Sequence, residues 1–260
     1  MPMNALDTSA APRTAIHRQA DFSLSDYRAL IADLQGLGYR DTPLEGLVPD
    51  RRLVFLRHDV DLCIARALRV AEEEANLGVS ASYYVLVSTE MYNPASAQSR
   101  DQLRRLRDLG HRIGLHFDAT FYHNERTALE TAADEECAIL ERLSGGPVDS
   151  ISFHRPAPEL MGLAGEFAGR RHTYEPNVFT EVAYISDSSG RFSQAHPLDH
   201  PSVTAGRALQ LLTHPIWWAD DLATPSRLAL DRMRGERTDA LDRVLAAATA
   251  KAKTRSAKAG

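Results

Sequence analysis

Leu53-Val-Phe-Leu-Arg-His-Asp-Val-Asp61 is the stretch on which the fold turns. Four consecutive apolar residues, Leu53 to Leu56, suit a strand buried on both faces, as in a parallel sheet. The strand then runs into Arg57-His58-Asp59-Val60-Asp61. Carboxylates at i and i+2 of an extended chain fall on one side. Neighbouring carboxylates repel, so one is protonated or the pair holds a cation. A turn into a helix also favours Asp as a cap, but a cap explains neither His58 nor the second carboxylate.

The pattern on either side repeats this unit. Ser25–Leu37 has helical apolar spacing, with Ser23 or Ser25 as N-cap and Gly38 beyond its end. Helical spacing returns over Ile64–Leu77, Ser99–Leu109 and Glu125–Leu143, and strand-like runs over Ser80–Val87, Ile113–Phe117 and Val148–Phe153. The β-α-β-α-β-α-β rhythm is that of a right-handed parallel α/β sheet or barrel. After Pro156 it loosens, with short strands at Ala183–Ser186 and Leu209–Leu212 and a last helix over Leu228–Ala250. The expected organisation is an N-terminal lead-in over 1–21, one domain over 22–250 and a flexible basic tail over 251–260.

Composition narrows the function. The chain has 260 residues, 43% hydrophobic and 25% charged, enough for a sizeable core. A formal net charge of -5 argues against a nucleic-acid partner. Cys63 and Cys137 are too few for a disulfide framework, lack metal-ligand spacing and read as buried thiols in helices. Residues 1–18 show no apolar leader and no run reaches membrane-spanning length, so the expectation is a cytoplasmic protein with no membrane partner. Oligomeric state is not legible.

The strand ends carry the chemistry, as expected of a parallel barrel. His116 and Asp118 close the third strand, His154-Arg155-Pro156 the fourth, Asp187-Ser-Ser-Gly190 the fifth, and His214 the last, before Trp217 and Trp218. Arg155 can hold a carboxylate by a bidentate pair, and Asp187 also suits a turn. His111 lies at the opposite strand end and reads as structural. A lone histidine is more often structural than catalytic. A series of Asp, His, His-Arg, Asp and His at successive strand ends instead fits metal-assisted hydrolysis, with a carboxylate as base and a histidine as acid.

Arg57-His-Asp-Val-Asp61, Gly110-His-Arg-Ile-Gly-Leu-His116, Phe153-His-Arg-Pro156 and Leu211-Leu-Thr-His214, in that order, resemble the polysaccharide deacetylase superfamily. This is the NodB-homology fold, carbohydrate esterase family four, and the likeness is to its WbmS-like branch. It runs from about Phe22 to Trp218. It implies a distorted (β/α)7, TIM-like barrel and a metal-dependent hydrolase removing an N-acyl group from an amino sugar. Residue by residue, it implies Asp59 as base, Asp61 and His116 as metal ligands, Arg155 as the arginine steadying Asp59, and His214 as general acid. The implied cofactor is a divalent metal, zinc first, with nickel, cobalt, manganese or iron as alternatives. The usual second metal histidine falls on Thr120. His154, Asp118 and His123 are the candidate replacements, with His154 favoured.

The implied substrate is a small N-acylated compound, acetyl or formyl, on a sugar or nucleotide-sugar. Tyr83, Tyr84, Tyr92, Trp217 and Trp218 either line a sugar site or belong to the core, with one tryptophan at most facing the site. The alternative is a non-catalytic carbohydrate-binding barrel that has lost its metal. Thr120 favours that alternative; Asp59, Arg155 and His214 together oppose it.

Overall fold

The computed structural model describes residues 22–192, 195–221 and 225–259, the last nine as backbone alone. The expected lead-in, apart from the helix that follows it, lies outside these residues. Helix α1 (Leu24–Gly36) is capped by Ser23, whose side chain accepts from the Asp26 amide. Strand β1 (Arg40–Asp41) pairs with β2 (Leu53–Val60), and α2 (Ile64–Asn76), β3 (Ser82–Leu86), α3 (Ala97–Asp108), β4 (Arg112–Phe117), α4 (Arg126–Ser144) and β5 (Ser150–Phe153) follow. Then come β6 (Arg171–His172), α5 (Pro176–Phe179), β7 (Ala183–Ser186), α6 (Pro201–Thr204), β8 (Leu209–Thr213), α7 (Pro215–Trp218) and α8 (Ser226–Ala259). All pairings are parallel, in the order β6-β5-β4-β3-β2-β8-β7, with β1 added beside β2. This is a single α/β domain whose curled seven-strand half-barrel matches the distorted (β/α)7 expectation.

The helices and strands expected before Pro156 are present. The two-residue strands β1 and β6 and the one-turn helices α5, α6 and α7 carry no period long enough to detect. The backbone is helical through Ala259, across the stretch read from sequence as a tail. Cys137 is buried in α4, and burial pushes its thiol up to about 12. Cys63 corrects the sequence reading: it is half-buried and sits at the N-cap of α2, where no side-chain bond is made.

Alternation along β2 divides the molecule. Val54, Leu56 and Val60 pack into the main core with Tyr27, Leu30 and Ile31 of α1 and Val70 and Ala71 of α2. Phe55 faces the other way, with Tyr84, Leu44, Val178 and Ala208, and fills the concave side. Arg57 and Asp59 share the Phe55 parity, so the concave face turns polar toward the strand ends. His58 points into the helical layer. There Glu74, fully buried, accepts from Tyr27 Oη at 2.5 Å and Tyr83 Oη at 2.6 Å and meets His58 Nε2 at 2.8 Å. Burial pushes the Glu74 carboxyl up, but His58, His111 and the Tyr27 hydrogen bond together outweigh it and the net direction is down. His58 Nδ1 bonds Thr213 Oγ1 at 2.8 Å and so ties β2 to the residue before His214. His111 closes the helix-to-strand junction, meeting Ala71 O at 2.9 Å and the Ala81 amide at 3.2 Å, in keeping with its structural reading.

Gly114 shows why the Gly110–His116 motif needs glycine within a strand. A Cβ there would stand 2.3 Å from Tyr84 Cε1 and 2.9 Å from the Ser150 carbonyl oxygen. Gly114→Ala therefore overpacks the concave face and is expected to cost about 1–3 kcal/mol in a urea melt. A change under about 0.5 kcal/mol would mean that the Tyr84 ring moves aside freely.

Candidate active site

Parallel register brings the strand ends together. Asp59 pairs across with Tyr84, Leu86 with His116, and His116 with Ser152, and Asp61 lies just beyond β2. His154 follows β5 and His214 follows β8. Asp59, Asp61, His116, His154, Arg155 and His214 all line one cavity of about 510 Å³.

Asp59 is 3% exposed and is held by a residue that the sequence reading did not assign. Arg57, two residues earlier on the same face, donates from Nε to Asp59 Oδ1 at 3.0 Å and from Nη2 to Oδ2 at 2.8 Å. The guanidinium is fully buried, donates to Ser152 Oγ, Tyr174 Oη and Gln210 Oε1, and lies 4.9 Å from the Tyr174 ring centroid. Burial alone would push the Asp59 carboxyl up; Arg57, with the His116 imidazole, outweighs it and holds Asp59 below its ordinary value.

Arg155 is accordingly not the arginine beside Asp59. Its Nη2 donates to Asp118 Oδ2 at 2.6 Å, and its side chain is 65% exposed. The i, i+2 spacing of Arg57 and Asp59 carried the missed signal, since one strand face holds both.

The ligand candidates also sort themselves. Asp61, His116 and His154 each offer a ligand atom within 4.8 Å of the others. His116 Nε2 lies 3.1 Å from Asp61 Oδ1 and 3.0 Å from His154 Nδ1. His116 Nδ1 faces the Ser152 carbonyl oxygen at 3.1 Å, which sets the ring so that Nε2 points at Asp61 and His154. Asp61 Oδ1 is buried and makes no hydrogen bond, an arrangement that a cation satisfies. Burial pushes the Asp61 carboxyl up, yet His116 and His154 hold it well below the ordinary carboxylate range. Burial disfavours a charged His116, but Asp59 and Asp61 raise it on balance. The field here favours positive charge, and one carboxylate with two imidazoles is a usual donor set for a catalytic zinc.

Asp118 is taken up elsewhere: it accepts from the Thr120 amide at 3.0 Å, Thr120 Oγ1 at 2.6 Å, and Arg155. Thr120, at the usual histidine position, is thereby turned to Asp118. His123 is exposed and does not line the cavity.

His214 occupies the far wall. Asp187, fully buried, accepts from the His214 amide at 3.0 Å, pairs with its Nδ1 at 2.6 Å, and accepts from Trp218 Nε1 at 2.6 Å. Burial lowers the His214 imidazole, but Asp187, with smaller contributions from Asp61 and Asp59, more than reverses this and raises it to about 9. Its Nε2 is left for the cavity, 3.8 Å from Asp61 Oδ2. Of the two tryptophans, Trp217 lines the cavity and Trp218 is buried. Tyr83 and Tyr84 are core residues, and Tyr92 donates to the Val60 carbonyl oxygen. The tyrosines that line the cavity are Tyr174 and Tyr184, which the sequence reading did not single out.

No family model matches the chain, and no curated protein sequence matches it. The solved structures that it resembles include family 4 carbohydrate esterases, peptidoglycan and chitin deacetylases, and a family 4 pseudoenzyme. A family 4 carbohydrate esterase from Bacillus anthracis is 18% identical, over 81% of this chain and 86% of that one, with a TM-score of 0.39. The chitin deacetylase of the fungal pathogen Colletotrichum lindemuthianum is 15% identical, over 73% and 84%, at 0.43. A peptidoglycan deacetylase from Bacillus subtilis is 14% identical, over 70% and 83%, at 0.42. These likenesses are distant, and the chemistry of the site rests on its own geometry. No helix among the described residues is long and apolar enough to cross a membrane.

Proposed function

We propose that the chain is a metal-dependent hydrolase that removes an N-acyl group, acetyl or formyl, from an amino sugar or a related small amide. The observation that carries this reading is the buried, unbonded Asp61 Oδ1 facing two histidines beside a separately held Asp59. Asp61, His116 and His154 are the residues that would hold a divalent cation, zinc being the first candidate for a carboxylate and two imidazoles. When bound, such a cation supplies Lewis-acid polarisation of the acyl carbonyl.

The other steps belong to the side chains. Asp59, kept ionised by Arg57, takes the proton of the attacking water. His214, kept protonated by Asp187, donates to the leaving amine as the C–N bond breaks. Trp217, Tyr174 and Tyr184 give the cavity part of its apolar wall.

Purified protein is expected to bind one equivalent of Zn²⁺ and to release acetate or formate from an N-acylated amino sugar. Asp61→Ala and His154→Ala are each expected to weaken Zn²⁺ binding at least tenfold in a calorimetric titration, because a two-ligand site is a poor zinc site. Stoichiometric binding that survives His154→Ala would remove His154 from the ligand set. Protein that binds no divalent metal and releases no acid, yet still binds sugar, would support the carbohydrate-binding barrel instead.

A further inference from the structure

Arg57 does the work that the family resemblance implied for Arg155, and this leaves an arginine at the cavity with no catalytic partner. We infer that Arg155 is a specificity residue that receives an anionic substituent of the substrate, a phosphate or a carboxylate. This rests on the proposed N-acyl hydrolase reading and names its substrate class.

Three observations support it. First, Arg155 is the one arginine or lysine among the described residues lining the cavity, and the two lining carboxylates are engaged elsewhere: Asp59 is held by Arg57, and Asp61 faces His116 and His154 in the metal-ligand set. Its one carboxylate partner among the described residues is Asp118, which does not line the cavity. Second, the guanidinium is both exposed and fixed. One nitrogen is anchored at 2.6 Å to Asp118, which is itself 3% exposed and pinned by Thr120, while among the described residues the guanidinium makes no other hydrogen bond. An anchored fork with free donors loses little freedom when it takes up an oxyanion, and planar guanidinium suits phosphate and carboxylate alike. Third, Arg155 has φ of 46°, a left-handed backbone unusual for a residue with a side chain, with Pro156 directly after it. An ordinary surface ion pair requires no such conformation, and strain of this kind gathers where a side chain must be aimed. Around the same mouth stand Ser188, Ser189 and Ser226, neutral hydroxyls that can donate to an oxyanion without opposing its charge.

The test measures binding separately from turnover. N-acetylglucosamine, its 1-phosphate and its 3-O-lactyl carboxylate derivative are titrated into the full chain, with Zn²⁺ and again after chelation so that anion–metal contact is removed. At least one anionic sugar is expected to bind about tenfold or more tightly than the neutral one in both conditions. Whether phosphate or carboxylate leads identifies the source of the anion. Arg155→Gln is expected to abolish the preference, Arg155→Lys to keep part of it, and Asp118→Asn, which frees the guanidinium, to weaken it. In turnover, the Arg155→Gln loss should fall on KM and not on kcat. Equal binding of all three sugars, or a preference that survives Arg155→Gln in folded protein, overturns the inference. Anion preference without acid release would sink the hydrolase reading alone; acid release without anion preference would sink this inference alone.

Discussion

Arg57→Met is expected to destabilise the protein by about 3–5 kcal/mol at neutral pH and to move the acid limb of kcat/KM to higher pH. Both effects come from one pair. Asp59 is almost wholly buried, and its forked bond to Arg57 is what keeps it charged there. Without the guanidinium, burial dominates and the carboxyl moves up. A base must be deprotonated, so rate rises as pH passes through its pKa, and a raised pKa carries that limb upward. The sign for stability follows from the same shift. A carboxyl depressed in the folded state stabilises it above the unfolded value of about 3.9, and that contribution is lost as pH falls. The Arg57→Met deficit should therefore be full at neutral pH and shrink in acid. Urea melts across pH and a pH–rate profile measure the two effects. Arg155→Met should leave the acid limb in place, because Arg155 does not touch Asp59. If Arg155→Met moves that limb and Arg57→Met does not, the assignment reverses.

The same pair shows where sequence reading stopped. Leu53–Leu56 read as a buried strand because four apolar residues leave little alternative, and glycines such as Gly110, at φ 92°, mark where helices end. His116, His154, Asp61 and His214 were legible as candidates because a parallel sheet delivers its strand ends to one rim. What each side chain bonds to was not legible, since it depends on register between strands far apart in sequence. Arg57 meets Ser152 and Gln210 across 95 and 153 positions. His58 had no assigned role until its bonds to Glu74 and Thr213 placed it in the helical layer. Asp187 suited a turn as well as a site, and only the return of β8 beside β7 sets it against His214. Residue type and strand position thus indicated the members of the site, while long-range pairing decided their roles.

His214→Ala is expected to reduce kcat/KM by about 10²–10⁴-fold, the usual contribution of a positioned general acid. Asp187→Asn should separate acidity from mere presence. Asp187, ahead of Asp61 and Asp59, raises the His214 imidazole to about 9 against the pull of burial. An acid works only while protonated, so rate falls as pH rises through that pKa; removing the Asp187 charge lowers the pKa and brings the alkaline limb to lower pH. A cation at Asp61 adds positive charge near His214 and acts in the same direction, so the wild-type limb should lie below 9 when the metal is present and rise toward it as metal is withdrawn from the binding equilibrium. The pair is also a stability element of opposite sign to Asp59. A histidine raised in the folded state stabilises it fully below about 6.5, and the gain is lost as pH climbs through the folded value. Asp187→Asn should thus cost stability at pH 6 and progressively less at alkaline pH. Trp218, which donates to the same carboxylate, gives an optical readout of whether the wall stays packed. A His214→Ala effect below threefold, or an alkaline limb that Asp187→Asn leaves unmoved, would return His214 to a structural role and leave the leaving amine without its proton donor.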